Sequence, residues 1–319
     1  MKFAYKVSED AAGQRLDKFL RKRFEDMPLS HLYKLVRTKK VRVNGVRAAI
    51  AQLLQRGDEV VVHTLNVEKT PHTPKPAEAY RQDFGVLFED EHLLVCDKPA
   101  GLAIHPGTGI TGETLVDQAR AYLERQGPVL PEGEFKPSPA HRLDRETSGV
   151  VVVAKTRQAM VKLTEIFTKG EAHKTYLALA KGRFQKEKGT VELRLAEHQQ
   201  TAGSKAQRGV NMQEAITHWK RLAGGAEATL LEVQIETGRT HQIRRHLEAI
   251  GHPIVGDGKY GDFPFNRDAQ RKWGLKRMFL HSARLAMRHP LSKKHLELSS
   301  PLPKELGEAL ARAGILYRA

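Results

Sequence analysis

Three prolines, Pro71, Pro74 and Pro76, fall within the stretch NVEKTPHTPKPAEA at 66–79. Proline lacks a backbone N–H and fixes φ, so neither a regular helix nor a central strand can cross such a segment. A chain of 319 residues broken there is expected to fold in two pieces, 1–64 and 81–319, joined by a proline-rich linker at 65–80. Its length, at roughly 100–200 residues per domain, suits that division.

Charge distinguishes the pieces. The whole chain carries 53 Lys and Arg against 37 Asp and Glu, a formal net charge of +16. Residues 1–64 hold 14 basic against 7 acidic side chains, or +7, leaving +9 for the other 255 residues. So dense a positive potential in a folded module suits a polyanion, with nucleic acid first and an anionic membrane surface second. No run approaches the ~20 apolar residues of a membrane helix. The start MKFAYKVSEDAAGQRLDKFL also lacks the apolar middle of a signal peptide. A cytoplasmic protein without membrane attachment is expected. Cys96 is the sole cysteine, which excludes an intramolecular disulfide framework and a multi-cysteine zinc site; inside LLVC it reads as a small buried hydrophobe.

In the front piece, LDKFLRKRF spaces Leu16, Phe19 and Leu20 for a helix, and Ser30 is a candidate N-cap for a second helix, HLYKLVRTKK. VRVNG then alternates and turns at Asn44-Gly45, and GDEVVVH reads as a return strand. Between them lie Lys34, Arg37, Lys39, Lys40, Arg42 and Arg47 with no acidic residue. A charge run is often only a solvated face, but one without counter-charges beside a tight turn is suited to gripping phosphates. Residues 13–63, through GQRLDKFL, LYKLVR, VRVNG and GDEVVV, resemble the small RNA-binding domain named after small-subunit ribosomal protein S-four. That resemblance implies two helices packed on a short sheet.

Beyond the linker, strand-like runs recur: VLFEDEHLLVCDKP, GVVVVAKT, TYLALAKG, ATLLEVQIETG and FLHSARLAMRH. Helical segments lie between them: ETLVDQARAYLERQG, QAMVKLTEIFTKG and THQIRRHLEAIG, the last closed by Gly251. With few βαβ spacings, the pattern predicts an α+β fold around a mostly antiparallel mixed sheet.

Three constellations could carry chemistry. HRLDRETSG (141–149) lies between the stiff segment KPSPA and the apolar run VVVVA, a good platform for a placed side chain. Asp144 there stands between Arg142 and Arg145, which are expected to hold it as a carboxylate; such a group can act as a nucleophile, or it can simply stabilise a turn. HKTYLA (173–178) places Tyr176 on an alternating strand, where packing with the hydroxyl at water is the commoner role. ETGRTHQIRRH (236–246) ends a strand and is expected to open a helix at Gly238, making an anion site with Arg239, while Arg244 could reach a carboxylate on another loop. No metal-ligand spacing, P-loop or dinucleotide fingerprint is present, so no metal and no cofactor are expected.

In that order HRLDRETSG, KTYLALAKG and TGRTHQIRRHLEAIGHPIVGDGKYG resemble the signature motifs of the RluA-type pseudouridine synthases, and DKPAGLAIHPG (97–107) matches a further family segment. The resemblance covers Phe84 to Pro303 and looks most like the RluC branch, which modifies 23S ribosomal RNA. It implies a pseudouridine synthase fold and an isomerase that breaks the ribose–base bond, turns the uracil and rejoins it through carbon. Asp144 matches the catalytic aspartate, as nucleophile or in forming a glycal-type intermediate. Tyr176 matches the tyrosine that stacks on the base and is a candidate for taking the carbon-bound proton, although an ordinary pKa near 10 makes it a poor base. Arg244 matches the basic partner of the aspartate, with Arg239 an alternative for that pairing or for a phosphate. Arg142 matches the residue that fills the space left by a flipped-out uridine, and His141 and Ile243, within the same motifs, are expected to line the substrate site. The implied partner is 23S rRNA or a pre-ribosomal particle, bound by a monomer. Alternatives are a tRNA-directed enzyme of the same family and a non-catalytic RNA-binding assembly factor. A retaining glycosidase using Asp144 and Glu146 is disfavoured, because side chains two apart diverge whereas that chemistry needs carboxylates ~5–5.5 Å apart.

Overall fold

The computed structural model describes residues 2–9, 11–24, 27, 29–63, 76–106, 112–127, 135–196 and 212–317. The chain divides into two compact units, Met1–Tyr80 with Arg120–Pro137, and Arg81–Ala119 with Ser138–Ala319. Most of the expected linker, at 64–75, lies outside the described residues.

The first unit contains β1 (Lys2–Lys6), α1 (Leu16–Arg23), α2 (Leu29–Arg37), β2 (Val41–Val43), β3 (Val46–Arg47) and β4 (Glu59–His63). Its sheet runs β1-β4-β2-β3, with every pairing antiparallel. Leu16, Phe19 and Leu20 of α1 are buried with Leu32, Leu35 and Val36 of α2, Val41 and Val43 of β2 and Val60 and Val62 of β4. Asn44 and Gly45 both take positive φ, 51° and 75°, which is the backbone of a tight hairpin whose twist matches its strands. Ser30 is not the cap expected of it: α2 begins at Leu29, so Ser30 already lies within the helix. The helix also stops before the basic run ends. Lys39 adopts φ 60°, and the Lys39 and Lys40 N–H groups bond back to Val36 and Leu35 carbonyls, a left-handed closure that satisfies orphan carbonyls.

The second unit contains β5 (Gly85–Glu89), β6 (Leu93–Lys98), α3 (Leu115–Gln126, whose end belongs with the first unit), β7 (Ser138–Pro139), β8 (Ser148–Ala154), α4 (Arg157–Thr168), β9 (His173–Lys181), β10 (Lys188–Ala196), β11 (Met212–Gly224), β12 (Ala228–Ile235), α5 (Gln242–Ala249), α6 (Phe263–Trp273), β13 (Leu280–Arg288), β14 (His295–Ser299) and α7 (Lys304–Arg312). Its sheet is ordered β10-β11-β12-β9-β13-β8-β6-β5, with β14 on β13 and β7 on β8. Among the described residues only β13 and β8 run parallel, through His281–Ser148 and Ser282–Gly149. The fold is thus α+β with an antiparallel-dominated sheet. VLFEDEHLLVCDKP proves to be two strands, because the Asp90 carboxylate accepts the His92 and Leu93 N–H groups at 2.8 Å each and turns the chain. Every residue of β8 is buried, as a continuous apolar run requires. A core cluster joins Leu179 and Leu230 of the sheet to Trp273 of α6 and Leu306 and Leu310 of α7. Cys96 is fully buried. Among the described residues no helix is long and apolar enough to cross a membrane.

Candidate active site

Asp144 stands in the loop between β7 and β8, and that loop is tied at several points. The Arg145 carbonyl accepts the Gly101 N–H at 2.9 Å and the Lys98 ammonium at 3.0 Å. Lys98 is fully buried and also donates to the Pro99 and Leu102 carbonyls, at 2.8 Å each. Three acceptors use all three of its N–H bonds. On the far side, Gly149 has φ 114°, and a Cβ there would lie 2.1 Å from the Ser282 carbonyl oxygen. Only glycine lets β8 start this close to β13.

The cation that meets Asp144 comes from elsewhere in the chain. Arg244 donates from Nη1 to Asp144 Oδ2 at 2.9 Å, while its Nε and Nη2 bind Asp257 at 2.7 and 2.8 Å. This corrects the expectation that Arg142 and Arg145 hold the carboxylate: Arg145 turns to the Gly101 carbonyl and Glu146, and Arg142 is exposed. The chain turns directly after Asp144, with the Thr147 N–H on its carbonyl at 3.0 Å, whereas the guanidinium of α5 arrives from across the cavity. Burial works against the charged guanidinium of Arg244, but Asp257 and Asp144 outweigh it and push its pKa above the ordinary value.

The helix carrying Arg244 starts later than expected. It opens at Gln242, not Gly238, so the anion site expected at Gly238 does not form at a helix start. Donors there are already taken, because the Gln242 side-chain oxygen accepts the Arg239 N–H at 3.1 Å and the Thr237 hydroxyl at 2.7 Å. His241, preceding the helix, adopts φ 54°, a left-handed conformation uncommon for a side chain of this size. Its ring accordingly faces the site, with Nδ1 3.0 Å from the Tyr260 hydroxyl and Nε2 3.8 Å from Asp144 Oδ1. Gly251 closes α5 as expected, with φ 79°.

Asp144, Tyr176 and Arg244 line one cavity of about 490 Å³, together with His141, Arg142, Arg239 and Ile243. Tyr176 is buried rather than half-exposed. Burial and then the Asp144 charge push its phenol up, against a hydrogen bond with Ser282 that lowers it, so the hydroxyl keeps its proton. The His141 Nε2 accepts the Val152 N–H at 3.1 Å, and burial, aided by the Lys174 charge, pushes its pKa down to about 3; the ring is neutral. Arg239 does not reach Asp144: it is exposed and bonds the Glu214 carbonyl at 3.2 Å. In the first unit, Lys34, Arg37, Lys39, Arg42 and Arg47 are exposed and Lys40 is half-buried. Among the described residues no three His, Cys, Asp or Glu side chains converge to hold a metal.

Sequence reading missed Asp257, Tyr260 and the placement of His241. Asp257 and Tyr260 stand in GDGKYG, where glycine at 256 takes φ 81°; a carboxylate flanked by turn glycines was the available signal.

Residues 92–249 match the family model described as RNA pseudouridylate synthase. Over 311 residues the chain is 35% identical to the ribosomal large subunit pseudouridine synthase C of Vibrio cholerae serotype O1, covering 96% of this chain and 95% of the relative. The chain belongs to the RNA pseudouridylate synthase family. The Escherichia coli K12 protein of the same name is 35% identical over 314 residues, covering 96% and 95% of the two chains. Among solved structures, human RNA pseudouridylate synthase domain containing 4 superposes with a TM-score of 0.61 at 26% identity, covering 74% of this chain and 95% of that one. An RNA pseudouridylate synthase is an isomerase of uridine, and the residues lining the cavity around Asp144, Leu280 apart, lie within the matched span.

Proposed function

We propose that this synthase converts specific uridines of large-subunit (23S) rRNA to pseudouridine in the cytoplasm, acting as a monomer on free RNA or a pre-ribosomal particle. The observation that carries the reading is the Asp144 carboxylate, fixed by Arg244 at 2.9 Å inside a cavity it shares with Tyr176. The relatives' names supply the class of RNA.

Asp144 acts at the ribose, either attacking C1′ or assisting glycal formation as the N1–C1′ bond breaks; Arg244 sets which oxygen is free. The detached uracil turns, C5 joins C1′, and the proton on C5 is exchanged for one on N1, so the product is an isomer. The protonated Tyr176 serves as a ring against which the base lies, and its raised pKa disfavours the role of proton acceptor. A cavity of about 490 Å³ fits a single nucleotide and no base-paired stem, so the uridine must leave its stack, at a few kcal/mol. Arg142, exposed at the rim, is suited to fill the vacated space because a planar guanidinium both stacks and donates hydrogen bonds. Ile243 and neutral His141 wall the cavity, and Arg239, with only Nε on the Glu214 carbonyl, has terminal nitrogens to offer a phosphate. In the first unit, the exposed basic run from Lys34 to Arg47 grips RNA in the manner of the S-four type domain.

The test is incubation of the full chain with unmodified 23S rRNA and, separately, tRNA, with no added cofactor, followed by pseudouridine mapping. Product at a few defined rRNA sites from wild type and none from Asp144→Asn is the expected result. Product on tRNA alone would replace the substrate, and product from Asp144→Asn would remove the proposed role of that carboxylate.

A further inference from the structure

Residues two apart on a strand share a face. Lys174 and Tyr176 of β9 both line the cavity, whereas Thr175 between them does not. Tyr176 is accounted for by the uracil; Lys174 has no assigned part. Among the described residues its ammonium makes no ion pair, and it stands over the Phe167 ring with Nζ 5.7 Å from the centroid. Burial pulls its pKa below the ordinary lysine range, and no carboxylate acts to raise it. Nζ instead faces bare backbone: a Cβ built on Gly238 would lie 3.9 Å away. A half-buried charge without a counter-charge is costly. The other basic groups on this wall differ: Arg244 is compensated by two carboxylates, Arg142 and Arg239 are exposed to solvent, and His141 is neutral.

Resting on the function proposed above, we infer that Lys174 is the seat for a phosphate of the flipped nucleotide, beside Gly238 and with Arg239 as the outer cation. The pair is spaced for this, since side chains two apart on a strand are separated by about 6.6 Å, comparable to the reach from a base to its own phosphate. A phosphate supplies the charge that Lys174 lacks, and Gly238 leaves room for it. The base on Tyr176 and the phosphate on Lys174 then hold the ribose carbon between them, where Asp144 must act. Lys174 is thereby a substrate-binding residue that fixes the phosphate end of the nucleotide while Tyr176 holds the base.

Two measurements on the full chain test the seat. Binding to in vitro transcribed 23S rRNA is followed against salt for wild type, Lys174→Met and Lys174→Arg. Removing one phosphate-binding cation should flatten the slope of log K against log salt by about 0.7–0.9 in Lys174→Met, with Lys174→Arg close to wild type. Uridine is then compared with uridine 5′- and 3′-monophosphate by calorimetry. Wild type should bind one monophosphate at least about tenfold tighter than uridine, as a charge-assisted bond allows, and Lys174→Met should lose that gap while still binding uridine. An unchanged salt slope, a gap that persists in Lys174→Met, or no gap in wild type would overturn the seat. If Lys174→Met does not fold, Lys174→Gln takes its place in both measurements. A wild type that prefers the monophosphate yet makes no pseudouridine on rRNA would overturn the proposed function and leave the seat standing.

Discussion

Asp257 grips Arg244 through both of its oxygens, at 2.7 and 2.8 Å, and leaves one guanidinium nitrogen for Asp144. The Asp257 side chain is fully buried and also accepts the Lys259 and Tyr260 N–H groups, at 2.8 and 3.0 Å. A planar guanidinium held by two bonds has a fixed plane, so Asp257 determines where the third bond points. Orientation of the Asp144 carboxylate is therefore set through Arg244 by a turn of chain that never touches it.

Asp257→Asn should cost about 3–5 kcal/mol, the usual consequence of breaking a buried pair, and slow single-turnover isomerisation by about 10–100-fold through misplacement of Arg244. Burial alone would raise the Asp257 carboxyl, but Arg244 and the two backbone N–H groups outweigh it and hold it below the usual range. A carboxyl lowered by folding stabilises the folded state above its unfolded pKa, and that contribution is lost as pH falls through the folded value. Urea unfolding should accordingly show the gap between wild type and Asp257→Asn narrowing at acid pH; a gap constant from neutral pH to acid would exclude this linkage.

Lys98→Met should loosen the loop that carries Asp144. It removes the Lys98 donor from the Pro99 and Leu102 carbonyls and leaves the Arg145 carbonyl with the Gly101 N–H alone, at about 1–3 kcal/mol for each unsatisfied group before relaxation, and kcat should fall more than KM rises. Burial pulls Lys98 down to about 7, although the Glu146 and Asp144 charges raise it. Between about pH 7 and the ordinary lysine range the unfolded chain holds a proton that the folded chain releases, so folding stability should rise with pH there. Chemical unfolding at stepped pH should show that rise in wild type and not in Lys98→Met.

Gly149→Ala should destabilise the second unit by about 3 kcal/mol or more, because the backbone is left-handed and the added carbon meets the Ser282 carbonyl. A thermal melt within a degree of wild type would show that the strands can separate to accept it.

Reversing Lys39 and Arg42 together, to Glu, should weaken rRNA binding and flatten its salt dependence, by up to about 0.9 for each phosphate no longer neutralised. Pseudouridine formation at saturating RNA should be unchanged, since neither residue lines the cavity. An unaltered salt slope would detach the first unit from RNA binding.

What the sequence by itself determined was local. Leu16, Phe19 and Leu20 mark a helix face, Asn44-Gly45 marks a tight turn, and the run of valines in β8 marks a fully covered strand, because each is written in neighbouring residues. The motif order likewise made Asp144, Tyr176 and Arg244 readable as one set. Only the tertiary structure decided who pairs with whom. Arg142 and Arg145 are nearer to Asp144 in the chain than Arg244, yet Arg244 reaches it, since contact across a cavity depends on strand order and helix placement rather than on separation in sequence. Asp257 and Lys174 were legible as letters and silent as roles for the same reason: a buried carboxylate declares itself by the cation it holds, and a half-buried ammonium by the anion it lacks, and both facts exist only once distant segments are packed together.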